Sequence, residues 1–544
     1  MAEQALSGIE IAEQNGPEHA IARAAVSATA FVGRTLKGPV NTPVSVAGFA
    51  EYQHVFGGVW QPSTLSYAVE QYFDNGGRQA IIVRVANGGR PPTINLPADG
   101  ARLALLGLWP GTREFLRASV DYDGIPANEP DRFNLVLQRT RSATSERVED
   151  QEIFRRLSVK PGAPRHVIEA LTESRLARVL GDVPAHRPDR TPAAASGAVV
   201  GYVPANTDGD DGQPLSDYDV IGSAAGHSGL FALEGAPPFG MLCIPPLSRE
   251  QDVGLSTWLV AARVCRLRHA LLLVDPPSAW SNAQQAIAGA RQWPLRADNA
   301  IMYFPRLLAF DRLRGRFETF ANAGAVAGML ARGDEVQPLW SAERDDQLIL
   351  RPNMRPTCVV GEADRLRLAQ FSVNSFLSVR PAVDGDEANS PRTLADGNAG
   401  SSDWRYLRAR RLALFVTASV EQGTRWTVFE SNDERTWTRV RGQVEAFLES
   451  LVQEGAFPHA APDEAYFVMC DGRLNSKDVR ASGKLHVLFG IAASRPGDYH
   501  AWLLTHQSGS SRVRQVSVNR SATAGLRVTQ EIETSLLRSI AGGH

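Results

Sequence analysis

Between residues 241 and 304, short apolar runs alternate with stretches of helical character, and this alternation limits the possible folds more than any other feature of the chain. The runs at 241–244, 269–275 and 300–304 are apolar on consecutive positions, the pattern of strands covered on both faces. The segments between them, 255–264 and 281–290, read as helices. A β-α-β-α-β order calls for a parallel sheet with helices packed on it, a three-layer α/β core.

The same signature opens the folded region. Residues 28–33 read as a small apolar strand. Leu65, Ala68, Val69, Tyr72 and Phe73 recur at helical spacing over 64–74. Asn75-Gly76-Gly77 stops that helix, and 80–83 follows as a continuous apolar strand. From 91 to 192 the character changes. Short alternating segments at 101–106, 117–122 and 133–137 stand among charged runs and predict a mostly β domain inserted into the core. A proline-rich linker at 184–193 is its expected exit.

The last block is α+β. A strand is expected at 411–416. A helix capped by Asn432 buries Trp437, Val440, Val444, Phe447, Leu448 and Leu451, and strands follow at 465–470, 484–492 and 499–504. The whole reads as a multidomain α/β and α+β chain: a 1–25 arm, core segments 26–91 and 196–383, an inserted domain 92–195, a loop 384–403, a C-terminal domain 404–507 and a tail 508–544.

Two short segments are expected to lack a pairing partner. Ile9, Glu10, Ile11 and Ala12 alternate in a polar arm that has nothing to bury them. Arg512, Val513, Arg514, Val516 and Val518 form a possible strand beyond the last core strand. Unpaired backbone donors and acceptors favour joining another sheet, so both are candidates for strands exchanged between subunits.

Several chemistries find no support. The chain has 57 Lys and Arg against 59 Asp and Glu, so it lacks the basic surplus expected of a nucleic-acid partner. No G-x-x-x-x-G-K-[ST] loop occurs, and lysine stands only at 37, 160, 477 and 484. No H-E-x-x-H or C-x-x-C occurs, and the four cysteines have neither metal nor redox spacing. Gly226-His227-Ser228-Gly229 misses the nucleophile-elbow pattern by one position and reads as a turn. Asn206, Asp208, Asp210 and Asp211 cluster like a calcium loop, but the tight-turn glycine is misplaced and the twelfth position is Asp217; a solvated turn is expected. Asp275 ends a parallel strand, where ligands bind in open α/β sheets, but has no visible partner base. No catalytic residue, cofactor or metal is expected. No apolar run approaches the roughly 18 residues of a membrane span, and no basic-then-apolar leader precedes the fold.

Several stretches are similar to bacteriophage tail sheath proteins and to the sheath proteins of phage-tail-like contractile injection systems. Near the start these are Ala30-Phe31-Val32-Gly33, Lys37-Gly38-Pro39-Val40-Asn41-Thr42-Pro43 and Phe73-Asp74-Asn75-Gly76-Gly77-Arg78. Val274-Asp275-Pro276-Pro277, Tyr303-Phe304-Pro305 and Gly324-Ala325-Val326-Ala327-Gly328 continue the likeness. The C-terminal block carries it furthest, through Trp404-Arg405-Tyr406-Leu407-Arg408-Ala409-Arg410-Arg411-Leu412, Gly423-Thr424-Arg425-Trp426, Phe429-Glu430-Ser431-Asn432-Asp433 and Gly483-Lys484-Leu485. The resemblance spans roughly residues 28–507.

What the resemblance implies is a structural subunit without enzymatic chemistry. It polymerises with itself as stacked six-subunit rings around an inner tail tube, and contracts to drive the tube through a target envelope. Baseplate and tail terminator proteins are the further partners, with no direct nucleic acid and no stable membrane insertion. Such a protein is made in a bacterial cytoplasm without a signal peptide and resides in a virion tail or tail-like particle. The C-terminal block is expected to face the tube, with Arg405, Arg408, Arg410 and Arg411 as contact candidates. The rival readings are a hydrolase-like enzyme on the α/β core and a non-contractile shell or adhesin polymer.

Overall fold

The computed structural model describes residues 20–193, 201–341, 349–376, 390–395, 403–457 and 461–516. It is a mixed α/β, multidomain structure with several sheets. The candidate strand Ile9–Ala12 and the end of the second one, Val518, lie outside the described residues.

The central sheet has seven strands in the order Asn374–Ser375, Ala300–Phe304, Leu271–Val274, Met241–Cys243, Thr29–Gly33, Ala80–Arg84 and Val44–Val46. All neighbours pair in parallel except the last, which runs antiparallel to Ala80–Arg84. Successive side chains point to opposite faces, so each apolar strand feeds two cores. Ala30, Val32, Leu242, Leu272 and Met302 meet Trp258, Ala261 and Cys265 of the helix Leu255–Leu267 and Ala286 of Ala283–Arg291. Phe31, Ile82, Cys243, Leu273 and Ile301 meet Tyr52 and Phe56 of Phe49–Phe56, Val69 and Tyr72 of Thr64–Asp74, and Val326 and Met329 of Ala323–Val336. Continuous apolar runs at these strands are the consequence.

Helices Thr64–Asp74 and Ala323–Val336 pack backbone to backbone. A Cβ at Gly324 would lie 2.2 Å from the Ala68 carbonyl oxygen, and one at Gly328 2.4 Å from that of Tyr72. Glycine spaced by four places both gaps on one helix face. A second, three-stranded sheet (Arg316–Phe320, Leu307–Asp311, Met354–Pro356) flanks this side, tied on by Tyr67, whose hydroxyl donates to Asp311 at 3.1 Å. Nothing in the sequence reading anticipated it.

The inserted segment folds as two antiparallel sheets that share one core. Ile94, Leu96, Leu103 and Leu105 come from the three-stranded sheet, and Ala118, Val120, Phe133, Leu135 and Leu137 from the four-stranded one. Two expectations are corrected. The segment 189–191 is no free linker: Asp189 N–H donates to Pro97 O at 2.7 Å and Thr191 N–H to Val120 O at 2.9 Å. The four-stranded sheet also takes in Val203–Pro204, past the expected end at 195. Backbone hydrogen bonds to a sheet edge outweigh the proline-rich composition there.

The neck between core and insert is a hydrogen-bonded pair. Arg90 N–H donates to Asp210 O at 3.1 Å, and Asp210 N–H to Arg90 O at 2.9 Å. The calcium-like residues serve this neck. Asp208 accepts from the Thr93 N–H and hydroxyl at 3.0 and 2.7 Å, and Asp211 from those of Thr112 at 2.8 Å each. Among the described residues no cluster of potential ligands could hold a metal ion. Fully buried Arg84 donates to Gly38 O at 2.6 Å and Pro110 O at 2.8 Å, joining the central sheet to the insert; burial lowers its pKa to about 10, opposed by Glu114.

Candidate functional site in the C-terminal domain

The run 404–423 begins with Trp404, buried against His500 and Trp502 with ring centroids 4.2 and 5.9 Å away. Residues Leu407–Gly423 then form a helix, where a strand at 411–416 was expected. Leu412 to Val416 is continuously apolar, a pattern that a buried strand and a buried helix share. The helix lies between two cores: Leu407 and Leu414 face the central sheet's cluster, while Leu412, Phe415, Val416 and Val420 face the C-terminal one.

This placement decides the fate of the four arginines. Arg408 is exposed and Arg405 half-buried. Arg410 is buried, 3.4 Å from Asp298, with its guanidinium 5.1 Å from the Trp404 ring centroid. Burial lowers its pKa, opposed by Asp298. Arg411 is buried 2.5 Å from Asp334, whose carboxyl burial pushes up against the opposing pull of Arg411. Arg410 and Arg411 therefore face the α/β core and present no charge outward, which corrects their assignment as tube contacts. A third pair on the same helix, Glu421 with His269 at 2.8 Å, reaches the start of a central strand. The helix joins the two domains through these three pairs.

The helix Glu434–Gln453 covers the other side with Trp437, Val440, Val444, Phe447, Leu448 and Leu451, all buried. Its cap is Asp433, which accepts from Thr436 N–H at 3.0 Å; the expected cap, Asn432, instead accepts from the Trp437 indole at 2.6 Å. A four-stranded antiparallel sheet, in the order Tyr466–Met469, Lys484–Ile491, His500–Gln507 and Ser510–Val516, closes the domain.

The strand Ser510–Val516 pairs within its own chain. Val513 stands opposite Leu504, Arg514 opposite Leu503 and Val516 opposite Ala501, while Arg512 faces Thr505. The expectation that this segment lacks a partner in its own chain is thus corrected. The signal lay in Ser508-Gly509, a two-residue hairpin turn whose glycine adopts φ +79°. The chain's other end enters along the same domain. Ala24 N–H donates to Ser419 Oγ at 3.0 Å, Ala24 is buried in the domain's core, and Arg23 pairs with Glu454. Ile21 packs over Gly423, where a Cβ would lie 2.8 Å from its side chain. Residues from 20 onward are therefore anchored to the helix Leu407–Gly423.

Residues 400–492 match the phage tail sheath C-terminal domain. The likeness of the tail sheath fold extends well beyond that domain. A sheath tail protein from Listeria innocua aligns over 93% of this chain and 97% of its own, at 11% identity and a TM-score of 0.55. A chain of the anti-feeding prophage baseplate in its contracted state aligns over 91% of this chain and 97% of its own, at 18% identity and a TM-score of 0.50. No curated protein matches the sequence.

Ser228 Oγ accepts from Ser223 N–H at 3.0 Å, within a turn. Asp275 Oδ1 accepts from the Asn322 and Ala323 N–H groups at 2.8 Å each, capping the helix Ala323–Val336. The cavity beside it is lined by Pro246, Asp252, Val253, Leu255, Trp258, Asp275, Pro277, Trp293, Pro294 and Arg306. Among the described residues no helix is long and apolar enough to cross a membrane.

Proposed function

We propose that the chain is the subunit of a contractile tail sheath. Copies stack as six-membered rings around an inner tail tube, bound at the ends by baseplate and tail terminator proteins, and the sleeve shortens to drive the tube through a target envelope. The observation that carries this reading is the sheath-domain match at 400–492, set within a sheath fold that spans nine-tenths of both aligned chains. The protein acts in a virion tail or tail-like particle and performs no catalysis.

In this reading the three-layer α/β core is a rigid block, the C-terminal domain faces the tube through exposed Arg408, and the inserted β domain lies outside. Contraction needs two packings of the same subunits and connections that survive the change between them. Exchanged strands meet that need, because main-chain hydrogen bonds persist while domains rotate. The arm carrying Ile9–Ala12 extends from the anchor at Ile21 and Ala24, and pairs with a C-terminal sheet edge of a neighbour. Either outer strand, Tyr466–Met469 or Ser510–Val516, is an acceptor.

Electron microscopy of the purified protein in negative stain tests the proposal. Long hollow tubes are expected from the full chain, and soluble folded monomers from a chain lacking residues 1–20. Strictly monodisperse monomers of the full chain overturn the sheath reading. Normal contractile sleeves from the truncated chain overturn the arm as the tether. Tubes that never exist in two lattices favour a non-contractile shell.

A further inference from the structure

A cavity of about 190 Å³ opens at the carboxyl ends of the strands Met241–Cys243, Leu271–Val274 and Ala300–Phe304. That edge of a parallel sheet is where ligands settle in open α/β folds. Two polar atoms on its walls are buried and unpartnered among the described residues: Asp275 Oδ2 and the Trp293 indole nitrogen. Asp275 is 6% exposed, and its other oxygen is occupied by the two amides of the following helix. Arg306, 8% exposed, donates through Nε to Pro276 O at 3.0 Å and pairs through Nη2 with Asp252.

The lining thus holds two carboxylates against one guanidinium: Arg306 pairs with Asp252 and acts also on Asp275, which leaves one negative charge in excess and Asp275 Oδ2 without a donor among the described residues. Around it the wall is tryptophan and proline, which water solvates poorly. Burying an acceptor without a donor is costly, so a donor brought by a ligand is favoured there. An anion would meet the carboxylates, whereas a cation would meet an unpartnered carboxylate oxygen and aromatic side chains.

We propose that this cavity binds a small organic monocation, a primary ammonium on a short apolar body. The ammonium donates to Asp275 Oδ2, and the body lies against Trp258 and Trp293. The site is independent of the sheath reading, since it rests on the core alone.

Calorimetric titration of the full chain with n-hexylammonium chloride, n-hexanol and sodium hexanoate tests it. Hexylammonium is expected to bind at one saturable site about ten-fold or more tighter than hexanol, the ratio set by one charge-assisted hydrogen bond, and hexanoate not to bind. Asp275→Asn keeps an oxygen for the two helix amides and should lower hexylammonium affinity to that of hexanol. Equal affinities of hexylammonium and hexanol for the unmutated chain, or no saturable hexylammonium binding, overturn the proposal whether or not the variant folds.

Discussion

Arg411 Nη2 lies 2.5 Å from Asp334 Oδ2, and the two side chains, each 8% exposed, join the C-terminal domain to the helix Ala323–Val336 of the core. Removing Arg411 leaves the buried Asp334 carboxyl without this partner, which costs about 3–5 kcal/mol, and removing Asp334 takes from Arg411 its short ion pair. Arg411→Ala and Asp334→Ala should each lower the urea midpoint followed by tryptophan fluorescence. The double variant Arg411→Met/Asp334→Leu should recover most of the loss, because a buried pair replaced by apolar residues is close to neutral. A double variant as unstable as the singles would mean that the pair is not the join.

Arg408 and Arg410 should behave oppositely although they are two residues apart. Arg408→Glu leaves a folded protein and reduces co-sedimentation with the tube, with the deficit largest at low salt because exposed charges are screened within about 10 Å at 0.1 M. Arg410→Glu places a carboxylate beside Asp298 in the interior and should fail at folding, read as loss of the cooperative thermal transition. Unchanged tube decoration by Arg408→Glu would remove Arg408 from the contact.

His506 should make the C-terminal domain acid-sensitive. It is buried, with Nε2 2.8 Å from Thr424 Oγ1 and Nδ1 2.8 Å from Ser511 Oγ, and burial lowers its pKa from 6.5 to about 4, with Glu421 opposing and Arg425 reinforcing. The unfolded chain binds a proton near pH 6.5, which the folded chain refuses until about pH 4. Stability is therefore complete above 6.5 and falls as pH drops toward 4, by ~3 kcal/mol in all. Thermal midpoints measured across that window should fall for the native chain and flatten for His506→Gln. Identical slopes for the two would exclude His506 as the source.

The inserted β domain should be removable at a defined place. Arg90 and Asp210 exchange both backbone hydrogen bonds, so their Cα atoms lie about 5.5 Å apart, a gap that a two-residue glycine turn spans. Excision of 91–209 with such a turn should leave a folded core that still polymerises, and Lys37, freed from Glu149, becomes solvated. A folded excision variant that forms no assemblies would place the domain in the lattice contacts.

What the sequence determined by itself was whatever a segment states about its own surroundings. The strands at 28–33, 80–83, 241–244, 269–275 and 300–304 were legible because burial on both faces leaves a continuous apolar run. The amphipathic helix carrying Trp437 to Leu451 was legible because six of its buried residues face one core. The tertiary structure decided everything that depends on a distant partner. Whether 407–423 is helix or strand was decided by two cores pressing on its two sides. Arg410 and Arg411 read as surface charge until Asp298 and Asp334, the latter 77 residues away, take them inward. The sheet Arg316–Phe320, Leu307–Asp311 and Met354–Pro356 and the hydrogen-bonded segment 189–191 depended likewise on neighbours far along the chain. Periodicity reports how much of a residue is buried, while the energy of a buried charge or an edge strand belongs to the pair, and a pair exists only once the chain has folded.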